Sequence, residues 1–416
     1  MAGLAVPAAE ASRCRRLPGY ALTLEGNPAP VDKGRQVGAE EQEEAEDDAL
    51  LPFGVDMGAA VPTTYGFAAA GLRGAGQAFV ALLAERASHR LDLGELHGDA
   101  ETPALAASGE RVVVALRSSD AAGFTVKLAQ VVGPEGALQW GYELSKLGKE
   151  LTGLTVATAG ERGLLAYQGL EKGSSRLFLA SFATSALKDA IAVKALDVKD
   201  AETPRLAARP GGYWLAWVRT LPEAKKPQKV VVDAGREDPE ERDLLEVGLR
   251  VVEVAKLDER GELQGAALRI GEPRRQVLLF DMAPSGAGSL LVAMRADSAA
   301  PGAEGGAMLL SEVGADGSVH EERLDDDDMG VGAPMLLVDA NAKVPEPWLS
   351  VSSASDATRL GRARGQRTLL AADPLLGRLE VIAVSAGHFL TQRARGRGVE
   401  LAALDCQLES AATEKK

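Results

Sequence analysis

Four histidines, His89, His97, His320 and His388, are spread over different repeats of a 416-residue chain, and none has a second histidine at metal-ligand spacing. They read as solvated or strand-end side chains. The two cysteines, Cys14 and Cys406, stand almost at opposite ends, and a zinc site takes about four clustered ligands. Neither lies within the body of the repeats described below, so catalysis by cysteine is not expected. There is no Gly-x-Ser-x-Gly elbow. Gly141-Tyr-Glu-Leu-Ser-Lys-Leu-Gly148-Lys149 has the wrong glycine spacing for a phosphate loop and lacks the Ser or Thr that would hold magnesium.

Charged residues are what remains for a site. Asp325-Asp326-Asp327-Asp328 puts four carboxylates in one loop, a donor set suited to a hard cation. No Asp-x-Asp-x-Asp-Gly spacing accompanies it, and a solvated, self-repelling loop is the plainer reading; no metal or cofactor is expected. A second acidic element is duplicated. Asp99-Ala-Glu101-Thr-Pro103-Ala-Leu-Ala-Ala107 returns as Asp200-Ala-Glu202-Thr-Pro204-Arg-Leu-Ala-Ala208, and at an offset of 101 nine of 17 positions from 99 to 115 are identical. Asp99, Glu101, Asp200 and Glu202 could line an acidic rim that recognises a cation. The alternative is a turn in which Asp and Thr bond local backbone and Pro opens a strand. Arginines gather late: Arg359, Arg362, Arg364, Arg367, Arg378, Arg393, Arg395 and Arg397 face only Asp373 and Glu380. Of these, Arg362, Arg364, Arg393, Arg395 and Arg397 are the candidates for contact with a polyanion, an envelope sugar or the chain's own acidic segment; a solvated face is the competing reading. Aromatics for stacking on bases are scarce, so nucleic acid is not expected.

The whole-chain balance, 46 basic against 60 acidic residues for a net charge of −14, also argues against a surface built to grip nucleic acid or anionic lipid. With 46% hydrophobic and 25% charged residues the composition is globular. Aromatics are 4%, so the core is built from many small side chains, each burying little area. No apolar run reaches the roughly 18 residues of a membrane span.

The elements that position these residues form a repeat. Two large apolar residues, a small one and usually another large one recur as Phe79-Val-Ala-Leu82, Val113-Val-Ala-Leu116, Leu164-Leu-Ala-Tyr167, Trp214-Leu-Ala-Trp217, Leu291-Val-Ala-Met294, Trp348-Leu-Ser-Val351 and Phe389-Leu-Thr391. The small residues are 34, 51, 50, 77, 57 and 41 apart, and the 77 holds a charged, Pro-bearing stretch, Leu221 to Leu244, whose removal leaves 53. That stretch is read as an excursion in the fourth repeat and a third candidate for a partner contact. Gly-closed turns at Gly133–Leu138, Asp258–Leu263 and Gly314–Val319 lie between alternating runs such as Phe124–Val131 and Val251–Leu257, the signature of β-hairpins. A period near 50 with about four strands each is the mark of a propeller blade.

The repeats predict an all-β fold, a β-propeller of seven four-stranded blades over residues 62–408, six or eight being the neighbouring counts. The first and last blades show some three strands each. Residues 18–24 could supply the missing outer strand of the last blade beside Val399–Cys406, which would bring Cys14 to Cys406. A disulfide there would clamp nearly the whole chain; the alternative is two free thiols in a reducing cytoplasm. Residues 25–61, with seven acids among the nine residues from 40 to 48, read as a disordered tether, and 409–416 as a disordered tail. Residues 1–17 read as the remnant of a secretory signal, Ala9-Glu10-Ala11 having the form of a signal-peptidase site although a basic start and a long apolar stretch are missing; the alternative is an ordinary frayed N-terminal arm.

The element Asp99-x-x-x-Pro103-x-Leu-Ala-Ala-Ser-Gly109 followed by Val112-Val-Val-Ala-Leu116 resembles the propeller repeat of the TolB-like and WD40-like periplasmic proteins, in which a Pro, a Ser-Pro-Asp-Gly turn and an apolar strand open each blade. Here the turn reads Ala-Ser-Gly-Glu or Arg-Pro-Gly-Gly, and no Trp-Asp dipeptide follows. The resemblance implies the fold and a habit of binding partners through one face, and carries over no catalytic residue. The resulting expectation is a non-catalytic, exported, monomeric binding or scaffold protein of periplasm or cell exterior, with a protein or envelope component as partner. The alternative is a hydrolase or lyase with its site at the channel mouth.

Overall fold

The structure, a computed structural model, describes residues 13–26, 54–74, 76–98, 100–171, 173–221, 228–232, 240–244, 249–274, 277–286, 288–296, 307–324, 333–339, 344–352, 358–363 and 379–407. Among them there is no helix, and none is therefore long and apolar enough to cross a membrane. The strands form seven consecutive antiparallel sheets, the blades of a β-propeller, plus one separate hairpin.

β1 (Arg13–Leu24) stands apart in sequence from its sheet. The first sheet comprises β2 (Val55–Thr63), β3 (Gly66–Arg73), β4 (Gln77–Ala84) and β5 (Ser88–Glu95) in chain order. The second follows as β6 (Ala104–Ser108), β7 (Arg111–Asp120), β8 (Gly123–Val132) and β9 (Ala137–Leu144), and the third as β10 (Leu151–Ala159), β11 (Arg162–Glu171), β12 (Ser174–Ala183) and β13 (Val193–Lys199). In the fourth, β14 (Ala201–Arg209) and β15 (Gly212–Thr220) are separated from β18 (Arg250–Leu257) and β19 (Leu268–Arg274) by a two-stranded excursion, β16 (Gln228–Val232) and β17 (Glu240–Leu244). The fifth is β20 (Val277–Ser285), β21 (Ser289–Ala296), β22 (Ala307–Val313) and β23 (Val319–Leu324); the sixth, three-stranded among the described residues, is β24 (Pro334–Leu337), β25 (Trp348–Ser352) and β26 (Thr358–Arg362). In the seventh, β27 (Glu380–Ser385), β28 (His388–Arg395) and β29 (Gly398–Gln407) are completed by β1.

The chain therefore closes on itself through its N-terminal strand. β1 pairs with β29 from Arg13–Gln407 to Leu24–Val399, with a register shift between Arg16 and Ala21 that accommodates Pro18-Gly19. Cys14 stands directly opposite Cys406 and is bonded to it. Arg15 and Arg16 pair with Asp405 and Glu400 at 2.8 and 2.7 Å. The closing strand is longer than residues 18–24, because this pairing continues through the cysteine.

Two compact units contain these sheets: residues 1–120, 127–141 and 327–416, and residues 121–126 and 142–326. In the first, Phe67, Ala69, Phe79 and Ala81 of the first sheet pack with Leu390, Leu401 and Ala403 of the seventh. The other face of the first sheet, through Ala68, Ala70, Val80 and Leu82, packs on Val112, Val114 and Leu116 of the second, and Trp348 and Leu360 of the sixth meet Val381, Phe389 and Leu404 of the seventh. In the second unit Leu164, Ala166 and Leu179 of the third sheet pack on Tyr213, Leu215 and Trp217 of the fourth, whose opposite face, with Trp214 and Val252, packs on Phe280, Leu290 and Val292. A sheet covered on both faces needs apolar residues at successive positions, the physical origin of the recurring apolar run.

The repeated acidic element is a latch between sheets. In both copies its Thr-Pro step meets a glycine on the first strand of the preceding sheet: a Cβ at Gly58 would stand 2.5 Å from Thr102 Cβ, and one at Gly153 would stand 3.0 Å from Pro204 Cδ and 3.4 Å from Thr203 Cα. Each glycine sits where the register of its strand shifts, so the bulge and the missing side chain together admit the next sheet. Gly153 also has φ +62°, which a side chain would strain.

Several sequence expectations shift in detail. The first sheet has four strands of its own and starts at Val55 rather than near Pro62. Phe79–Leu82 lies on its third strand; the counterpart of the other apolar copies is Ala68–Ala70 on β3, where three alanines replace the large–large–small pattern. Pro204 lies inside β14, at its bulge, instead of at a strand entry. His89 and His97 both belong to the first sheet or the connection after it. The excursion runs from Leu221 to Leu249, whose backbone groups bond at 2.8 Å, so it is longer than 221–244.

Candidate functional site

A cavity of about 510 Å³ opens between the third and fourth sheets, lined by Asp197, Val198, Lys199, Trp217, Arg219, Glu253, Ala267 and Arg269. Its construction follows from the strand registers. On β15 alternate residues face the third sheet, and the series Tyr213, Leu215, Trp217 is apolar and fully buried until it reaches Arg219. On β18 the same face carries Leu257, Ala255 and then Glu253. The interface between the two sheets thus changes from apolar to ionic at one end. Trp217 pairs across to Glu253, and Glu253 to Arg269 on β19, so three strands place these side chains in one row.

Glu253 is the anchor of this row, its side chain only 6% exposed. Trp217 Nε1 donates to its Oε2 at 3.1 Å and Arg219 Nη1 to its Oε1 at 3.2 Å. Arg269 Nε stands 3.8 Å from Oε1. A buried carboxylate requires such partners, and here they fix two guanidiniums on one wall. The side chains of Arg219 and Arg269 remain 36% and 57% exposed. Asp197 and Lys199, on β13 where its register against β12 shifts, both line the cavity and are both exposed. Among the described residues neither has an ion-pair partner. Chemically the site offers three cations against one engaged and one open carboxylate, and among the described residues no hydroxyl, thiol or imidazole side chain lines it. The excursion leaves the sheet after Thr220, one residue past Arg219, and returns at Arg250.

The residues singled out in the sequence fall elsewhere. Glu101 pairs at 2.8 Å with Arg117, a second-sheet arginine that is 1% exposed. Glu202 pairs at 3.5 Å with Arg250 of its own fourth sheet. Asp200 adopts φ +55°; its N–H donates to Ser175 O and its carbonyl accepts from Thr220 N–H. Asp99, Arg364 and Asp325–Asp328 lie outside the described residues, and Arg362 is described only in its backbone, on β26. Arg393, Arg395 and Arg397 share the tip of the β28–β29 hairpin, where Arg393 and Arg395 are exposed; none of the three makes an ion pair among the described residues. There too, no group of three or more His, Cys, Asp or Glu side chains is placed to hold a metal ion. The pocket itself was missed by sequence reading. Its one signal was Glu253, an acid inside the otherwise apolar Val251-Val-Glu-Val-Ala255.

No protein-family model and no curated protein matches the chain. Among solved structures it is similar to the polysaccharide lyase Uly1 (TM-score 0.49, 11% identity, 95% of this chain and 99% of that one). It is also similar to the β-propeller domain of the Trilobed protease from Pyrococcus furiosus (0.46, 9%, 84% and 93%) and to YCF48 bound to D1 peptide (0.43, 11%, 87% and 95%). The chain is a β-propeller of the general kind that the TolB-like and WD40-like repeat resemblance implied. Likenesses at this level carry no ligand or reaction with them.

Proposed function

We propose that the protein is a non-catalytic, exported, monomeric binding protein that engages a protein or cell-envelope component at the pocket between its third and fourth sheets. The observation that supports this is the state of Glu253. The buried acid of the pocket is committed to Trp217 and Arg219, so it serves as a clamp that orients cations rather than as a free base. Export is supported by the Cys14–Cys406 bond, because such bonds persist in oxidising compartments and are rare in the cytosol. The exposed tip bearing Arg393, Arg395 and Arg397 is a second candidate contact, whereas Glu101 and Glu202 are engaged by Arg117 and Arg250. One feature favours a hydrolase or lyase instead: Asp197 and Glu253 put two carboxylates on one cavity, the pairing that general acid–base chemistry uses.

Native mass spectrometry of the protein isolated from its own host tests the proposal. The expected spectrum shows a two-hydrogen deficit that reductant restores, and a bound component whose mass is the same before and after prolonged incubation. Two free thiols remove the export reading. A bound component that is cleaved on incubation transfers the case to the enzyme.

A further inference from the structure

We infer that the pocket between the third and fourth sheets takes a ligand with a single carboxylate flanked by hydroxyl or amide hydrogen-bond donors, the chemistry of a sugar acid or other small hydroxy acid. The inference rests on the binding role proposed for that pocket and names its ligand class. Arg219 and Arg269, from β15 and β19, stand on either side of Glu253 and are drawn to the same wall by it. Glu253 engages Arg219 through Nη1, while Arg269 Nε lies beyond hydrogen-bond distance of it. The planar guanidinium fork matches a carboxylate through two parallel N–H donors. Lys199 adds a third cation from β13.

Asp197 sets the limit on charge. It lines the cavity together with Lys199, so it repels a dianion such as sulfate and accepts from a hydroxyl or amide beside the ligand's carboxylate. A cavity of about 510 Å³ has the volume of a small-molecule site. Charge and hydrogen-bond demand together select one negative group with donors next to it.

Calorimetric titration of the full-length protein with D-glucuronate, D-glucose, acetate and sulfate tests this. Glucuronate is expected to bind more tightly than acetate or sulfate, and glucose to give no heat. Arg269→Gln, at a side chain more than half exposed, leaves the fold intact and weakens glucuronate by about 10- to 100-fold, the loss of a charge-assisted contact. Asp197→Asn is expected to raise sulfate affinity several-fold. Glucose binding as well as glucuronate, no binding by any probe, or an Arg269→Gln protein that binds glucuronate unchanged overturns the assignment. Failure of the underlying reading has a different signature. If the component recovered from the host binds D197N/K199Q/R269Q as tightly as wild type, the pocket is not the recognition site. If it loses binding there but carries no carboxylate, the site stands and only the ligand class falls.

Discussion

A chain carrying Cys14→Ser and Cys406→Ser is expected to lose roughly 6 kcal/mol of stability toward urea, the value the loop-entropy account gives for so long a closed loop. The bond joins residues 392 apart in sequence, directly across the β1–β29 pairing. Its cysteines are 6% and 7% exposed, within the cluster that includes Trp348, Phe389 and Leu404. Without the bond, β1 retains its backbone pairing and the Arg15–Asp405 and Arg16–Glu400 ion pairs. Exposed pairs of this kind contribute little, about 0–1 kcal/mol each, so they do not replace it. Reductant should lower the urea midpoint of the wild type toward that of the double variant and leave the variant unmoved. Equal midpoints for the oxidised wild type and the double variant would mean that closure does not depend on the bond.

High pH is expected to produce the second large effect. Burial pushes the hydroxyls of Tyr167 and Tyr213 up from 10.0 to about 12, and the two side chains are 2% and 0% exposed. Tyr167 lies stacked on Phe178 at 5.2 Å, while Tyr213 belongs to the core between the third and fourth sheets. The folded protein keeps both phenols neutral up to about pH 12, whereas the unfolded chain ionises them near 10. Their contribution is therefore whole below pH 10 and is lost as pH rises toward 12. Two units on each tyrosine correspond to roughly 5 kcal/mol in total. Urea midpoints measured between pH 9 and 12 should fall steeply, and Tyr167→Phe with Tyr213→Phe should flatten the slope while leaving the pH 7 midpoint nearly unchanged. An equally steep fall in the double variant would assign the alkaline loss to other groups.

How much of this was legible in the sequence depended on whether the signal was local. Turns closing on Gly136, Gly261 and Gly317 join β8 to β9, β18 to β19 and β22 to β23, because a residue with positive φ is needed there and glycine supplies it. The Cys14–Cys406 closure was legible because a last blade short of a strand must take one from elsewhere. The first sheet was misread in its start and in which strand carries the repeat, since Ala68–Ala70 satisfies the crowding between sheets without any large residue to mark it. The latch was half legible: the duplicated Thr102-Pro103 and Thr203-Pro204 were visible, whereas Gly58 and Gly153, which receive them, lie 44 residues before Thr102 and 50 before Thr203 in positions that only the bulged registers bring to notice. The pocket depends on side chains from four strands, and nothing in the spacing of Asp197, Trp217, Glu253 and Arg269 announces their meeting. An acid in an apolar strand was the one trace it left.

The central claim, that recognition takes place between the third and fourth sheets, is tested most directly by placing a photo-crosslinking amino acid at position 199, at 92 on β5, or at 395 on the basic hairpin, in the native host. The account expects irradiation to give one discrete adduct from position 199, lost when Arg269→Gln is added, and none from 92 or 395. The same discrete adduct from 395 and none from 199 would contradict it and make the arginine-bearing hairpin the recognition surface.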